Sequence, residues 1–318
     1  MKLREFYDSA IKKAIKEDPR PKGAVEDDLK EAGRVYKKLK GIEKTAFDQE
    51  KLKYPYADSR ILFGLDKREI KTVLVGIDID VQEILLADRL SEKGTKIDLV
   101  LSHHPSGRAF AQLDEVMSLQ CGIWESHGFS EKIAKNVMRG RKDEVRRSVI
   151  SRNHMRAVDA AILLNIPFMC LHTAADNCVA TYLQKIFNKQ KPRRLKDILN
   201  ILRRVPEYRY AMKTTGVAPH ILVGKEKDEA GKVFVDMTGG TNPPDGVYSR
   251  FSQSGIGTIV GMHVNESGHK AAKKEFLNYV IAGHMASDML GMNLLLDAVN
   301  NKNNLNIITC SGFKRMKR

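Results

Sequence analysis

Three stretches of this 318-residue chain bring metal-ligand side chains to the end of an apolar, β-branched run. The first is Leu101-Ser102-His103-His104-Pro105, where two adjacent imidazoles close a strand. Adjacent residues of an extended strand point to opposite faces. For both rings to serve one site the backbone has to leave the strand there, and Pro105 favours that by ending the ladder. Neutral imidazole suits zinc, iron, manganese, nickel and cobalt alike; the alternative is a pair of ordinary loop histidines. The second stretch is His172-Thr-Ala-Ala-Asp176, with imidazole and carboxylate at i and i+4 and so on one face of a helix that starts there. Its alternative is that Thr173 or Asp176 caps that helix. The third, Gly283-His284-Met-Ala-Ser-Asp288, repeats the spacing behind a glycine that permits close backbone approach. Its alternative is a buried His284 hydrogen-bonded by Asp288.

Together these imidazoles and two carboxylates describe a mixed nitrogen and oxygen site with enough donors for two ions. Two metals about 3.5–4 Å apart need a bridging carboxylate, and Asp176 is the expected bridge. His172 is expected to orient Asp176 from behind, as outer partners of metal ligands do. Asp78 and Asp80, at the end of an earlier strand, are candidate wall residues. His263 and His269 have no carboxylate four residues away and read as structural. Thr238-Gly-Gly-Thr241 has backbone N–H groups to offer an anion, but it lacks the lysine of a phosphate loop and reads as a turn. Gly255-Ile-Gly-Thr-Ile-Val-Gly261 lacks the spacing of a dinucleotide fingerprint and reads as a strand.

The elements that must position these residues are legible as periodicity. Thr72–Ile79 and Ile97–Ser102 are apolar enough for strands buried on both faces, with a helix over Val81–Lys93 between them. Strand, helix, strand in about 30 residues is a βαβ unit and implies a parallel sheet. Residues 106–160 read as helical and basic. A third strand, Asn165–Leu171, leads into the second motif and a helix to about Phe187. Short β-rich runs follow at His220–Gly224, Val233–Thr238 and Gly257–Met262, then a helix at Gly268–Asn278 and a strand at Tyr279–Ala282. The third motif opens an apolar helix through Leu296, and Ile307–Thr309 is a candidate last strand. At the start, residues 3–17 carry apolar side chains at helical spacing, Pro19 and Pro21 stop that helix, and a second runs from Val25 to Lys40. Each half contains a strand, then His-x-x-x-Asp, then a helix, which points to two related lobes.

The set Lys-Thr-Val-Leu-Val-Gly-Ile-Asp-Ile-Asp, Asp-Leu-Val-Leu-Ser-His-His-Pro, His-Thr-Ala-Ala-Asp and Ala-Gly-His-Met-Ala-Ser-Asp, in that order, resembles the Nif-three-like family. Members of that family are described as GTP cyclohydrolase I type 2 homologues or dinuclear metal centre hexameric proteins. The resemblance spans about residues 60–300 and is loose over 106–155 and 185–260. It implies an α/β fold of two interlinked lobes with mixed and parallel sheets. On that reading residues 1–59 form a helical N-terminal extension, 60–212 the first lobe and 213–318 the second, with 283–318 returning to the metal cleft. It also implies two divalent ions per chain, held by His103, His104, Asp176, His284 and Asp288. Asp288 stands where the family has Glu, one methylene longer. A ring-like homo-hexamer is implied as the assembly.

Composition bounds the rest. The chain is 42% hydrophobic, enough for a proper core, and its net charge of +15 attracts anions. Lys and Arg are dense over Lys132–Arg156, Lys185–Lys213 and Phe313–Arg318. Anionic small molecules and nucleic acid are thus the partners the charge favours, although no nucleic-acid motif with interleaved aromatics is present. The four cysteines form no C-x-x-C pair, so reduced thiols in the cytoplasm are expected. No apolar run is long enough for a membrane span. Two functions fit: a metal-dependent hydrolase acting on a nucleotide or phosphorylated substrate, cyclohydrolase-like by resemblance, or a non-catalytic metal-binding scaffold or regulator that binds nucleic acid or protein.

Overall fold

A computed structural model describes residues 1–300 and 304–318. Its strands are β1 Ser59–Phe63, β2 Thr72–Gly76, β3 Leu99–Ser102, β4 Phe168–Leu171, β5 His220–Val223, β6 Lys232–Asp236, β7 Ile256–Gly261, β8 Asn278–Ile281 and β9 Asn306–Thr309. They form two sheets, with order β1-β4-β3-β2-β9 in one and β5-β8-β7-β6 in the other. In the first sheet β1 is antiparallel to β4, while β4, β3, β2 and β9 run parallel. In the second, β5 is antiparallel to β8 and the rest are parallel. The order of the first four strands is thus repeated by the second four, as the paired motifs suggested. β9 breaks the repeat: the last strand of the chain returns to the first sheet, with Val73 beside Ile307, and links the two halves.

The parallel strands are apolar because helices cover both faces. Val73, Leu74, Val75, Leu99, Val100 and Leu101 are all fully buried. Between β2 and β3 runs the helix Val81–Glu92, started by Asp80, whose carboxylate accepts from the Val81 N–H. The region 106–160 is helical as expected, dominated by Glu131–Ile150.

Two helices carry the chemistry and pack on each other: Thr173–Gln190 after β4 and His284–Asn300 after β8. They approach closely because Gly291 lies against Ala175; a Cβ on Gly291 would stand 2.5 Å from the Ala175 carbonyl oxygen. The helix Leu3–Lys16 lies against both. Its buried Leu3, Phe6, Tyr7 and Ile11 are each worth about 1.5–3 kcal/mol of apolar burial, and Tyr7 donates to the Ser59 carbonyl at 2.7 Å. The second expected helix, found at Ala24–Lys38, buries nothing.

Most expected strands begin or end one to three residues from their predicted limits, and β1 was not foreseen at all. All four cysteines are free, and Cys170 is a buried residue of β4 as expected. No helix among the described residues is long and apolar enough to cross a membrane.

Candidate metal centre

Both sheets deliver their ligand candidates from the carboxyl ends of parallel strands. After β3 the backbone keeps bonding to the chain beyond β2, with His103 N donating to Gly76 and His104 N to Ile77. Ser102 Oγ donates to the His104 carbonyl at 2.8 Å and turns the chain. The two rings thereby sit with centroids 5.0 Å apart instead of on opposite faces. His103 is fully buried and His104 partly exposed.

After β4, His172 precedes the helix that carries Asp176 one turn on. His172 Nδ1 meets Asp58 Oδ2 at 2.8 Å, and Thr173 Oγ1 donates to the same oxygen at 2.7 Å. Asp58 lies just before β1 and has no exposed surface. With Nδ1 so engaged, His172 turns Nε2 toward Asp176 Oδ2, 3.9 Å away. After β8, Gly283 takes φ +112°, a conformation that favours glycine, and His284 opens the next helix. Ser287 Oγ donates to the Gly283 carbonyl at 2.7 Å and fixes this corner, while Tyr208 OH lies 2.9 Å from the same hydroxyl.

Asp288, with no exposed surface, is at the centre. Its Oδ1 is 3.5 Å from His103 Nε2, and its Oδ2 is 3.5 Å from His104 Nε2 and 3.4 Å from His284 Nε2. Asp176 Oδ1 is 3.5 Å from His103 Nε2. Three groups of donors result: His104, His284 and Asp288; His103, Asp176 and Asp288; and His103, His104 and His172. Asp288 belongs to two of them, whereas Asp176 joins only one. Asp288 thus shares donor groups with both sets of imidazoles, from the second turn of the helix after β8.

These residues fit a metal on two observations. Asp176 Oδ1 and both Asp288 oxygens are buried without any hydrogen-bond partner, although an unpartnered buried carboxylate is costly. The nitrogen to oxygen distances of 3.4–3.5 Å are long for hydrogen bonds. They lie close to the edge of a tetrahedron whose arms are about 2.0–2.1 Å, roughly 3.3–3.4 Å, as for zinc with nitrogen and oxygen ligands. The His and Asp groups could therefore hold a metal ion.

Charges are frustrated here. Burial pushes the Asp176 carboxyl up to about 7, against the pull of His172. Burial, reinforced by Asp176, holds Asp288 well above the usual carboxylate range. Burial opposes the charged form of His172 as well, but Asp176 and Asp58 outweigh it and raise it to about 9. Burial and the neighbouring imidazoles lower His103 strongly and bring His284 down to about 4.

The other sequence candidates separate. Asp78 Oδ1 is 2.6 Å from His104 Nδ1 and plays for that ring the part Asp58 plays for His172. Asp80 caps its helix and pairs with Arg156. His269 sits away from the cluster, beside Glu266. His263, read from sequence as structural, lines the cavity, with its ring centroid 4.6 Å from that of His284. The repeat marks it, since His263 follows β7 as His103 follows β3. The run Gly255–Gly261 is largely β7, as read.

The fold is that of a NIF3 superfamily protein from Sphaerobacter thermophilus: the structures superpose with a TM-score of 0.70 at 23% identity, covering 90% of this chain and 98% of that one. Weaker likenesses are to reduced HcgD from Methanocaldococcus jannaschii (14% identity, 89% and 97% covered, TM-score 0.49) and a Bacillus cereus protein related to NIF3 (10% identity, 89% and 96% covered, TM-score 0.43). No protein-family model and no curated protein matches the chain. The His/Asp clusters fit a metal-binding protein.

Proposed function

We propose that this chain is a NIF3-family dinuclear metal protein that hydrolyses a phosphorylated or nucleotide substrate. His104, His284 and Asp288 would hold one ion, and His103, Asp176 and Asp288 the other. What carries the reading is the set of three buried, unpartnered carboxylate oxygens facing imidazole nitrogens at metal-ligand spacing. When bound, a pair of divalent ions supplies Lewis-acid polarisation and lowers the pKa of water. The protein's own part is to orient: Asp58 and Asp78 hold His172 and His104 by Nδ1 and so present Nε2 to the site.

Substrate reaches the cluster through a cleft of about 800 Å³ whose walls include His104, His172 and His284 together with Phe110, Arg152 and Arg156. That is room for a small organic anion, and the net charge of +15 favours its approach. Ring opening of GTP is the narrower form of this reading, carried by the resemblance alone. A hexameric ring, likewise from the resemblance, is checked by light scattering on the eluting protein. The test of the activity is a panel of nucleotides and phosphomonoesters assayed with zinc, manganese or iron. Turnover that disappears in Asp288→Ala supports the proposal, and turnover that survives chelation contradicts it.

A second reading, a non-catalytic polyanion-binding scaffold, draws on the helix Glu131–Ile150. There Lys135, Arg139, Lys142 and Arg146 line one groove. Binding of single-stranded DNA with steep salt dependence would favour it.

A further inference from the structure

The turn Thr238–Asn242 faces the His/Asp cluster across a small cavity that it shares with His103, His172, Asp176, His263, His284 and Asp288. It is held from behind by its carbonyl oxygens. Gln120 Nε2 donates to the carbonyls of Gly239 at 3.0 Å and Thr241 at 2.6 Å, and Arg141 Nε donates to that of Asn242 at 3.2 Å. Thr238 Oγ1 is tied to Asn177 Oδ1 at 2.6 Å. Gly239 and Gly240 have φ of +90° and +86°. A Cβ on Gly239 would meet Gln120 Cγ at 2.5 Å, and one on Gly240 would meet Val116 Cγ2 at 2.9 Å.

The carbonyls of Gly239, Thr241 and Asn242 are thus engaged, whereas N–H groups of the same turn are not. Among the described residues, none of the N–H groups of Gly239, Gly240 and Thr241 has a hydrogen-bond partner, although Gly239 is buried. Unpaired buried N–H groups are rare in folded proteins, and successive free N–H groups on a glycine turn form an anion-binding concavity. Two further observations point outward to a ligand. Gly240 and Thr241 also line the large cleft, which carries Arg152. Arg156 in that cleft is paired with Asp80 at 2.5 Å, whereas the Arg152 guanidinium is exposed and has no ion-pair partner among the described residues.

We infer that the turn Thr238–Asn242 is a backbone cradle for the phosphate group of the substrate, with Arg152 as its counter-charge, so that a phosphorylated compound lies between the cradle and the His/Asp cluster. This rests on the metal-centre reading above and adds the seat that selects the substrate class. The cradle has no need of the lysine that a nucleoside triphosphate loop uses, because its charge comes from Arg152 and from the cluster opposite.

The experiment is calorimetric titration of inorganic phosphate into the zinc-reconstituted full chain, with zinc content measured on the same samples. The variants are Gly240→Ala, which intrudes on the turn, and Arg152→Ala, which removes an exposed cation and does not threaten folding. The expected result is unchanged zinc content in both, with phosphate bound about tenfold more weakly in each. Unchanged zinc with wild-type phosphate affinity in Arg152→Ala, or no phosphate binding by the zinc-loaded wild type, overturns the cradle and leaves the metal centre standing. A wild type that takes up no zinc overturns the metal-centre reading, and the cradle with it.

Discussion

Consider Asp176→Asn in metal-free protein. Asp176 is 5% exposed and its carboxyl is raised from 3.8 to about 7. By linkage, a carboxyl with a higher pKa folded than unfolded contributes fully below about pH 4 and loses that contribution as the pH climbs through about 7. The difference corresponds to roughly 4 kcal/mol at pH 8. Asparagine escapes this loss, and the attraction of His172, 3.9 Å away, is already contained in the value of about 7. The variant should therefore be more stable than wild type by about 4 kcal/mol at pH 8 without metal. Unfolding entropies of about 2 cal/mol/K per residue, over 318 residues, turn this into about 6 °C. At pH 4 the two proteins should melt together. Saturating divalent metal should invert the order at pH 8, because only the wild type keeps both carboxylates of its second donor group. Scanning calorimetry at both pH values, with chelator and with metal, reads all four states. A metal-free variant less stable than wild type at pH 8, or equal metal stabilisation of both, would refute the reasoning.

Other consequences can be checked on the same material. Asp58→Asn frees the His172 ring without touching a proposed ligand of either ion, and should weaken metal binding about 10–100-fold in a chelator competition. Metal affinity should fall as the pH drops from 8 to 6, because the metal must displace a proton from Asp176, held at about 7. Calorimetry in buffers of different ionisation enthalpy counts the protons released, and none would contradict this. Gly291→Ala puts a Cβ against the Ala175 backbone and should cost about 1–3 kcal/mol. It should also reduce bound metal, since it spreads the two helices that carry Asp176 and Asp288.

Much of this architecture was legible because parallel strands and motif spacing leave strong local marks. Val73–Val75 and Leu99–Leu101 are apolar throughout, and the two His-x-x-x-Asp runs announce helices that start at strand ends. The parts that were not legible depend on distant contacts. β1 is a short edge strand, and Asp58 beside it meets His172 across 114 residues of sequence. The central place of Asp288 was likewise hidden, since both His-x-x-x-Asp motifs have the same spacing and its approach to His103 and His104 joins residues far apart in sequence. His263 lacks a carboxylate at helical spacing, so only the repeat of strand order reveals its equivalence to His103.

The measurement that tests the central claim most directly is the metal stoichiometry of the untagged protein after reconstitution, for wild type and Asp288→Ala. The account predicts about two ions per wild-type chain and a loss of both in the variant, since Asp288 serves each group that contains a carboxylate. A folded wild type that retains no metal would contradict it.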